Sequence, residues 1–154
     1  MNHLKVTTHQ QYLWNGIQLL GDFGYQFNHR EEWSAFHTHY DTQMMPAKDP
    51  DRELVFKLHT FSSSLKLRLS SSSSWEHMAG WNMQIQKNAI GGYSFLLPEY
   101  KRFTTGAFWL TTFRLDNQLS VTGGIRYDRG RIDIAAFEDP YLVEYLHRQG
   151  YEER

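Results

Sequence analysis

The chain has 154 residues, of which 40% are hydrophobic and 16% aromatic, and its formal net charge is -1. That length suits one domain of ordinary size, and the balance of acidic and basic residues gives no electrostatic reason to expect a nucleic-acid partner. The absence of cysteine excludes a disulfide framework, a thiolate nucleophile and a cysteine-ligated zinc site. No window approaches the roughly 18 consecutive apolar residues of a transmembrane helix. The mean hydropathy of -0.61 is typical of soluble proteins but is equally compatible with a membrane β-barrel, which is polar on average.

Alternating apolar and polar residues predict six long strands. The predicted strands cover roughly residues 3–14, 16–33, 53–71, 75–89, 101–115 and 118–131. In the sixth, for example, Val121 and Ile125 alternate with Thr122 and Arg126. A period of two is that of a β-strand with one apolar and one polar face. Because each strand can pair with the next one along the chain, we expect an all-β antiparallel meander.

Two of these strands depart from simple alternation. In the third, the apolar residues occupy even positions over 54–58 and odd positions over 65–69. Such a change of phase requires a β-bulge, which we expect between residues 59 and 64, or else two strands joined by a tight turn there. The fifth strand carries aromatic residues on both faces, with Trp109 on one and Phe108 on the other, which leaves its orientation open.

The connections between the strands alternate between short and long. The first is a tight turn at Asn15-Gly16, a dipeptide typical of two-residue hairpins, and two further connections are also short. Between them lie long connections over roughly 34–52 and 90–100, and a third long segment covers 132–154. In a meander this order places the short turns at one end of the sheet and the long loops at the other, as in outer-membrane barrels.

A short helix is predicted within the last of these loops. Asp139 is a favourable N-cap, Pro140 suits the first helical position, and Gly150 follows the end. Leu142 and Leu146 stand at helical spacing between them. We therefore expect one short helix after the sixth strand.

The strand pattern is compatible with two kinds of barrel. Strands of about 12 or more residues can cross a bilayer when tilted, and a second face of Gln, Asn, Ser, Thr, Arg and Asp is typical of a water-filled lumen. Aromatic residues near the short turns, such as Trp14 and Trp75, and towards the long loops, such as Tyr25, are typical of girdles at two membrane interfaces. The alternative is a soluble lipocalin-like β-barrel that binds a small apolar ligand.

The polar faces of the strands supply candidate lumen-facing residues. These are Arg30, Gln84, Gln86, Arg126 and Asp128. Charges paired across such a face set the electrostatic field inside a barrel. Nothing in the sequence nominates a nucleophile or an enclosed cleft, so we do not expect an enzyme, and no cofactor is indicated.

The first long loop contains a candidate ligand cluster. His37, His39 and Asp41 stand at alternate positions, so an extended backbone would direct all three to one side. They are candidate extracellular-loop ligand residues, and His37 and His39 are weak metal candidates because imidazole suits several transition metals. Since the chain has 8 histidines, an isolated pair of this kind more often belongs to a solvated loop.

Several motifs, in order along the chain, resemble those of TonB-dependent outer-membrane receptors. Residues 24–32 (GYQFNHREE) resemble their GYQxNxRxE strand, and residues 88–100 resemble a loop that ends in an IP-x-Y element. Residues 106–108 (GAF) resemble the GxF opening of the following strand, and residues 123–128 (GGIRYD) resemble a recurrent strand of the same pattern. Residues 139–151 are similar to a loop of the Bacteroidetes-type receptors.

The resemblance implies a large outer-membrane barrel of about 22 strands with an N-terminal plug. Such receptors take up iron-siderophore complexes, haem or similar scarce nutrients. Their partners are the lipid bilayer of the bacterial outer membrane, the ligand, and the TonB energy-coupling complex, which acts through an N-terminal region. The chain shows no signal peptide, TonB box or plug, so the resemblance predicts an internal barrel segment that is not functional alone. Because six strands leave two edges unpaired, we expect an open curved sheet.

Overall fold

The computed structural model describes residues 1–38, 43–70, 74–116 and 118–151. Six antiparallel strands form one sheet in sequence order and are followed by one short helix. The strands are β1 (Asn2–Trp14), β2 (Ile17–Trp33), β3 (Arg52–Ser70), β4 (Trp75–Gly91), β5 (Tyr100–Arg114) and β6 (Ser120–Ile134), and the helix is α1 (Pro140–Arg148). The predicted all-β meander is confirmed. The largest difference from the predicted bounds is at the end of β6, which continues to Ile134.

The turn between β1 and β2 is the predicted two-residue hairpin. Asn15 and Gly16 have φ angles of 43° and 76°, as a type I′ turn requires. Trp14 and Ile17, which flank the turn, are paired with each other. The backbone twist of this turn matches that of the strands it joins.

The third strand is continuous, so the predicted bulge between residues 59 and 64 is wrong. β3 pairs without interruption with both neighbours through this stretch, which also excludes two strands joined by a turn. The register shifts instead between Glu32 and Trp33 of β2. The apolar phase changes because both faces of β3 are buried at the long-loop end, where Leu54 and Val55 are 8% and 6% exposed.

The helix begins and ends as predicted. Asp139 caps it by accepting hydrogen bonds from the backbone N–H groups of Tyr141 (3.0 Å) and Leu142 (3.4 Å). Pro140 is its first residue, and Gly150 beyond its end has a φ of 85°. Within the described ranges, no helix is long and apolar enough to cross a membrane.

The sheet is open, with β1 and β6 as its two edges. Over the described residues β1 pairs with β2 alone and β6 with β5 alone. Both edge strands are exposed along their whole length. Each edge therefore presents a row of unpaired backbone N–H and C=O groups, as expected for a sheet that is not closed into a barrel.

Asp116 stabilises the turn between β5 and β6. Its Oδ1 accepts hydrogen bonds from the backbone N–H groups of Gln118 (2.7 Å) and Leu119 (2.8 Å). Because these bonds favour the carboxylate, they hold the pKa of Asp116 below its ordinary value of 3.8. The bonds also fix the direction in which the chain enters β6.

We expect Asp116→Asn to flatten part of the acid dependence of stability. A carboxyl whose pKa is lowered by folding stabilises the folded state above its ordinary pKa, and this contribution is lost as the pH falls through the lowered value. Asparagine keeps the side-chain carbonyl acceptor but does not titrate. The measurement is the urea midpoint of the chain in detergent micelles between about pH 2 and 6. Identical acid profiles for the two chains would contradict this role.

Candidate functional site

The two faces of the sheet differ in chemistry. Paired residues of neighbouring strands lie on the same face, so the registers assign every strand side chain to one of two faces. The apolar face consists of the even residues of β1 and the odd residues of β2 to β6, up to the register shift after Glu32. The polar face consists of the remaining strand residues.

The apolar face carries a band that starts at the short turns and ends at a row of charges, which on β6 begins earlier, with Arg129 at the level of Met83. In β4 the band runs from Trp75 to Ile85, and the next residue on that face is Lys87. At or beside the level of Lys87, the neighbouring strands carry Lys57, His59, Lys101, Arg131 and Asp133. Ten residues rise about 34 Å along a strand, or about 24 Å along a membrane normal when the strand is tilted by about 45°. That height matches the roughly 25 Å apolar band of outer-membrane barrels.

Large aromatic side chains mark both ends of this band. At the short-turn end Trp75 packs against Phe113 with ring centroids 4.5 Å apart. At the long-loop end three aromatic residues lie at the level of Ile85 of β4, namely Tyr25 on β2, Phe61 on β3 and Phe103 on β5. Many side chains of the band are open to solvent, because nothing among the described residues covers this face. Trp109, for example, is 47% exposed and Ile125 is 75% exposed.

A network of charges crosses the polar face at the short-turn end. Glu76 lies between two arginines, with Arg68 Nε 3.1 Å from Oε1 and Arg114 Nη2 3.2 Å from Oε2. Arg68 Nη1 also donates to Gln18 Oε1 at 3.5 Å. These side chains are partly exposed, so each pair contributes about 0–1 kcal/mol to stability. The network therefore orients side chains across β2 to β5 more than it stabilises the sheet.

Further from the short turns, a pocket of about 620 Å³ opens on the polar face. Its lining includes His9, Asp22, Ser62, Asn82, Gln84 and Thr104. Since these residues come from five neighbouring strands, the sheet is concave on its polar side. His9 Nδ1 lies 2.6 Å from Asp22 Oδ1, which joins β1 and β2 across the pocket wall. The lining therefore offers hydroxyl, amide, imidazole and carboxylate groups.

The lumen-facing candidates share the polar face. They are Arg30, Gln84, Gln86, Arg126 and Asp128. Arg30 pairs with Glu32, two positions along on the same face. Gln86 Nε2 donates to Thr60 Oγ1 at 3.4 Å. Arg126 Nε and Nη2 donate to the two carboxylate oxygens of Asp128, both at 2.6 Å, in a bidentate pair.

Of the three predicted loop ligands, the structure describes His37, while His39 and Asp41 lie outside the described residues. His37 Nδ1 lies 3.3 Å from Tyr93 Oη and 3.2 Å from the carbonyl oxygen of Ala35. This contact joins the loop after β2 to the loop after β4. Over the described ranges, no three His, Asp or Glu side chains form a group that could hold a metal ion.

The same two loops share a second set of bonds. Ser34 Oγ donates to Glu53 Oε2 at 2.8 Å and lies 2.9 Å from Tyr93 Oη. Phe36 packs edge-on against Tyr93 with centroids 5.0 Å apart. The described parts of these two loops therefore lie against one another at Ser34, Phe36 and Tyr93.

Sequence reasoning missed the part that glycines play on the polar face. Phe108 of β5 lies over Gly80 of β4, and Asp128 of β6 lies over Gly106 of β5, so an added Cβ at either glycine would overlap that neighbour. The glycines inside the strands were the available signal, but only the register shows which side chain lies over each of them. This packing explains how Phe108 is accommodated on the polar face, where Leu110 and Met78 lie beside it.

We expect Gly80→Ala to destabilise the sheet by about 1–3 kcal/mol, because the new methyl group would displace the ring of Phe108. Gly123→Ala is the matched control, since a Cβ there meets no atom within 4 Å, and its effect should stay within about 0.5 kcal/mol. Urea unfolding in micelles gives both values. Equal effects at the two positions would show that Phe108 does not occupy the space over Gly80.

The site is thus a curved wall with a polar concave face, an apolar convex face, and interacting loops at one end. Any functional assignment depends on this geometry and on the motifs along the chain. A scan against models of protein families, and searches of curated proteins and of solved structures, found no match.

Proposed function

We propose that the six strands form part of the barrel wall of a TonB-dependent outer-membrane receptor. In this proposal the apolar face contacts lipid and the polar face lines the lumen. The edges of β1 and β6 pair with further strands of the same barrel. The long loops, including the loop that carries His37, lie at the extracellular end.

The proposal rests mainly on one observation, an apolar face that no second layer of the described residues covers. A sheet in a water-soluble domain buries its apolar face against helices or another sheet. Among the described residues, the buried hydrophobic side chains are Leu54 and Val55, which both lie at the long-loop end and outside the band. Lipid would cover the band from Trp75 to Ile85 along its whole height. Removing each large apolar side chain of the band from water would contribute about 1.5–3 kcal/mol.

The polar face supports a lumen more than an apolar ligand site. A lipocalin-like barrel, the soluble alternative, encloses an apolar cavity on the concave side of its sheet. Here the concave pocket is lined by groups such as Asp22, Ser62 and Gln84, while the apolar band that runs from Trp75 to Ile85 in β4 lies on the convex side. This is the arrangement of a barrel with a wet interior.

The receptor function is proposed from the ordered motifs together with this two-faced wall. The cargo would be an iron-siderophore complex, haem or a similar scarce nutrient. Uptake would depend on the TonB complex, which in this class acts through a region before the barrel. The segment would contribute the wall and three extracellular loops, and transport would belong to the complete barrel.

The lipid-facing assignment can be tested with brominated phospholipids, which quench nearby tryptophan. In a background in which the other tryptophans are replaced by phenylalanine, Trp109 should be strongly quenched by lipids brominated in their acyl chains. The matched chain carries Phe108→Trp and Trp109→Phe, which moves the indole by one residue to the polar face. We expect much weaker quenching in that chain. Equal quenching at both positions would contradict the assignment of one face of the sheet to lipid and the other to the lumen.

The transport assignment is tested in cells that produce the complete barrel containing this segment. Deleting the segment should abolish accumulation of the iron-siderophore or haem cargo, and so should loss of the TonB complex. Uptake that continues at the same rate without the TonB complex would contradict the receptor function but not the barrel wall.

A further inference from the structure

One histidine lies among aromatic side chains on the apolar face. His77 stacks on Trp75 with centroids 6.0 Å apart and planes inclined by 14°, and its ring is 5.8 Å from that of Trp109. Its paired neighbours are Leu69 on β3 and Thr111 on β5. Among the described residues of this face from the short turns to the level of Trp81, His77 is the one histidine, and no Lys, Arg, Asp or Glu lies there.

The hydrogen bonds of Thr111 are compatible with a proton on Nε2 of the His77 ring. Trp109 Nε1 donates to Thr111 Oγ1 at 2.9 Å, and the same oxygen lies 3.0 Å from His77 Nδ1. Because an indole N–H can only donate, the Thr111 hydroxyl accepts there, and its own proton can be donated to Nδ1. In the tautomer that accepts this bond, the neutral ring carries its proton on Nε2. That N–H has no hydrogen-bond acceptor in the part of the chain that the structure describes.

A groove runs beside this histidine on the same face. Gly123 lies in its floor, and its walls include Trp109, Phe113 and Ile125. The groove has a volume of about 410 Å³. Gly123 is paired with Thr111, which is itself paired with His77, so the groove opens next to the imidazole. A groove with apolar walls and a glycine floor is suited to a hydrocarbon chain.

We propose that this cluster binds one phospholipid, whose phosphate accepts a hydrogen bond from His77 Nε2 and one of whose acyl chains lies in the groove over Gly123. The inference rests on the proposed function, because it requires the apolar face to lie in a bilayer. A hydrogen-bond donor left unpaired in hydrocarbon is strongly disfavoured, so an imidazole N–H among lipid-facing residues requires a partner. Where an aromatic girdle meets the headgroups, the lipid offers ester carbonyl and phosphate oxygens, and the charged phosphate oxygen is the stronger acceptor.

The surroundings of His77 on the apolar face suit an anionic headgroup, because no carboxylate among the described residues lies beside the ring. The residues that face it from the adjoining strands are Leu69 on β3 and Thr111 on β5, with Gly123 beyond on β6, and none of them is ionisable. The nearest acidic residue along β4 is Glu76, which lies on the polar face with Arg68 and Arg114.

Native mass spectrometry of the full chain in neutral detergent micelles tests the proposal with two probes, dioleoylphosphatidylglycerol and dioleoylglycerol, which lacks the phosphate. His77→Phe should weaken binding of the phospholipid about tenfold and leave dioleoylglycerol unchanged. His77→Gln keeps an N–H donor and should retain most of the affinity. Gly123→Leu fills the groove and should weaken binding of both probes. Ala107→Leu, on the same face but outside the groove lining, is the control and should change neither.

Equal phospholipid affinity for His77→Phe and the unchanged chain would overturn the proposal, and so would equal losses for Gly123→Leu and Ala107→Leu. A readout without any substitution is NMR of the ¹⁵N-labelled histidines. One Nε2 resonance should shift on adding the phospholipid but not dioleoylglycerol, and no shift would overturn the proposal. Acyl-bromine quenching of Trp109 in the same preparation separates the two levels of inference. If Trp109 is still quenched but the phosphate makes no difference to binding, the proposed lipid site is wrong and the barrel-wall assignment is unaffected.

Discussion

In plain aqueous buffer the chain is expected to form large assemblies, whereas in detergent micelles it is expected to stay dispersed with the circular dichroism of a β-sheet. Two features cause this. The edges of β1 and β6 offer unpaired backbone groups to other chains. The band on the apolar face, with side chains such as Ile125 at 75% exposure, has no cover in water. Sedimentation velocity with and without detergent gives the size distributions.

The control is the same chain at detergent concentrations just below and just above the critical micelle concentration, so that the buffer is otherwise unchanged. Dispersal should follow the appearance of micelles. A single sharp monomer in plain buffer, with a cooperative thermal transition, would contradict the lipid-facing role and favour the lipocalin-like alternative.

A charge on the apolar face is expected to cost far more than the same charge on the polar face. Ala107 is exposed on the apolar face and is paired with Trp81, near the middle of the band. Ala107→Arg should destabilise the sheet in a bilayer by about 2–4 kcal/mol, because the guanidinium would lie in hydrocarbon near the midplane. The side chain replaced is small, so the effect would not come from a cavity.

Thr104→Arg is the matched control, since Thr104 lies on the polar face of the same strand and lines the concave pocket. Its effect should stay below about 1 kcal/mol, because the charge would remain in water. Urea titration of the chain reconstituted in vesicles measures both. Equal costs at the two positions, or a cost at Ala107 that is the same in buffer as in vesicles, would contradict the assignment of the faces.

Much of the fold could be predicted because its signals are local. Period-two alternation located the six strands, Asn15-Gly16 located a hairpin, and Asp139-Pro140 located the start of α1. The rule behind the alternation assumes one buried and one wet face. It therefore failed at the long-loop end of β3, where Leu54 and Val55 are buried on opposite faces and the change of phase predicts a bulge that the strand does not have.

The candidate site was less predictable because its geometry joins strands. Phe108 is accommodated by the missing side chain of Gly80 on the next strand, and no pattern within β5 reveals that. The His77–Thr111–Trp109 arrangement spans two strands in the same way. His37 and Tyr93 are 56 residues apart in sequence. Their loops come into contact because the strands that precede and follow them are paired in the sheet.

The central claim is that one face of this sheet lies against lipid and the other against water, and spin labelling along β4 tests it most directly. The chain has no cysteine, so single cysteines at residues 79 to 86 can each carry a nitroxide in reconstituted vesicles. Oxygen, which partitions into lipid, should reach the odd positions, and a water-soluble nickel complex should reach the even positions, with a period of two. If the nickel complex reaches odd and even positions equally, the wall assigned here is not a membrane wall.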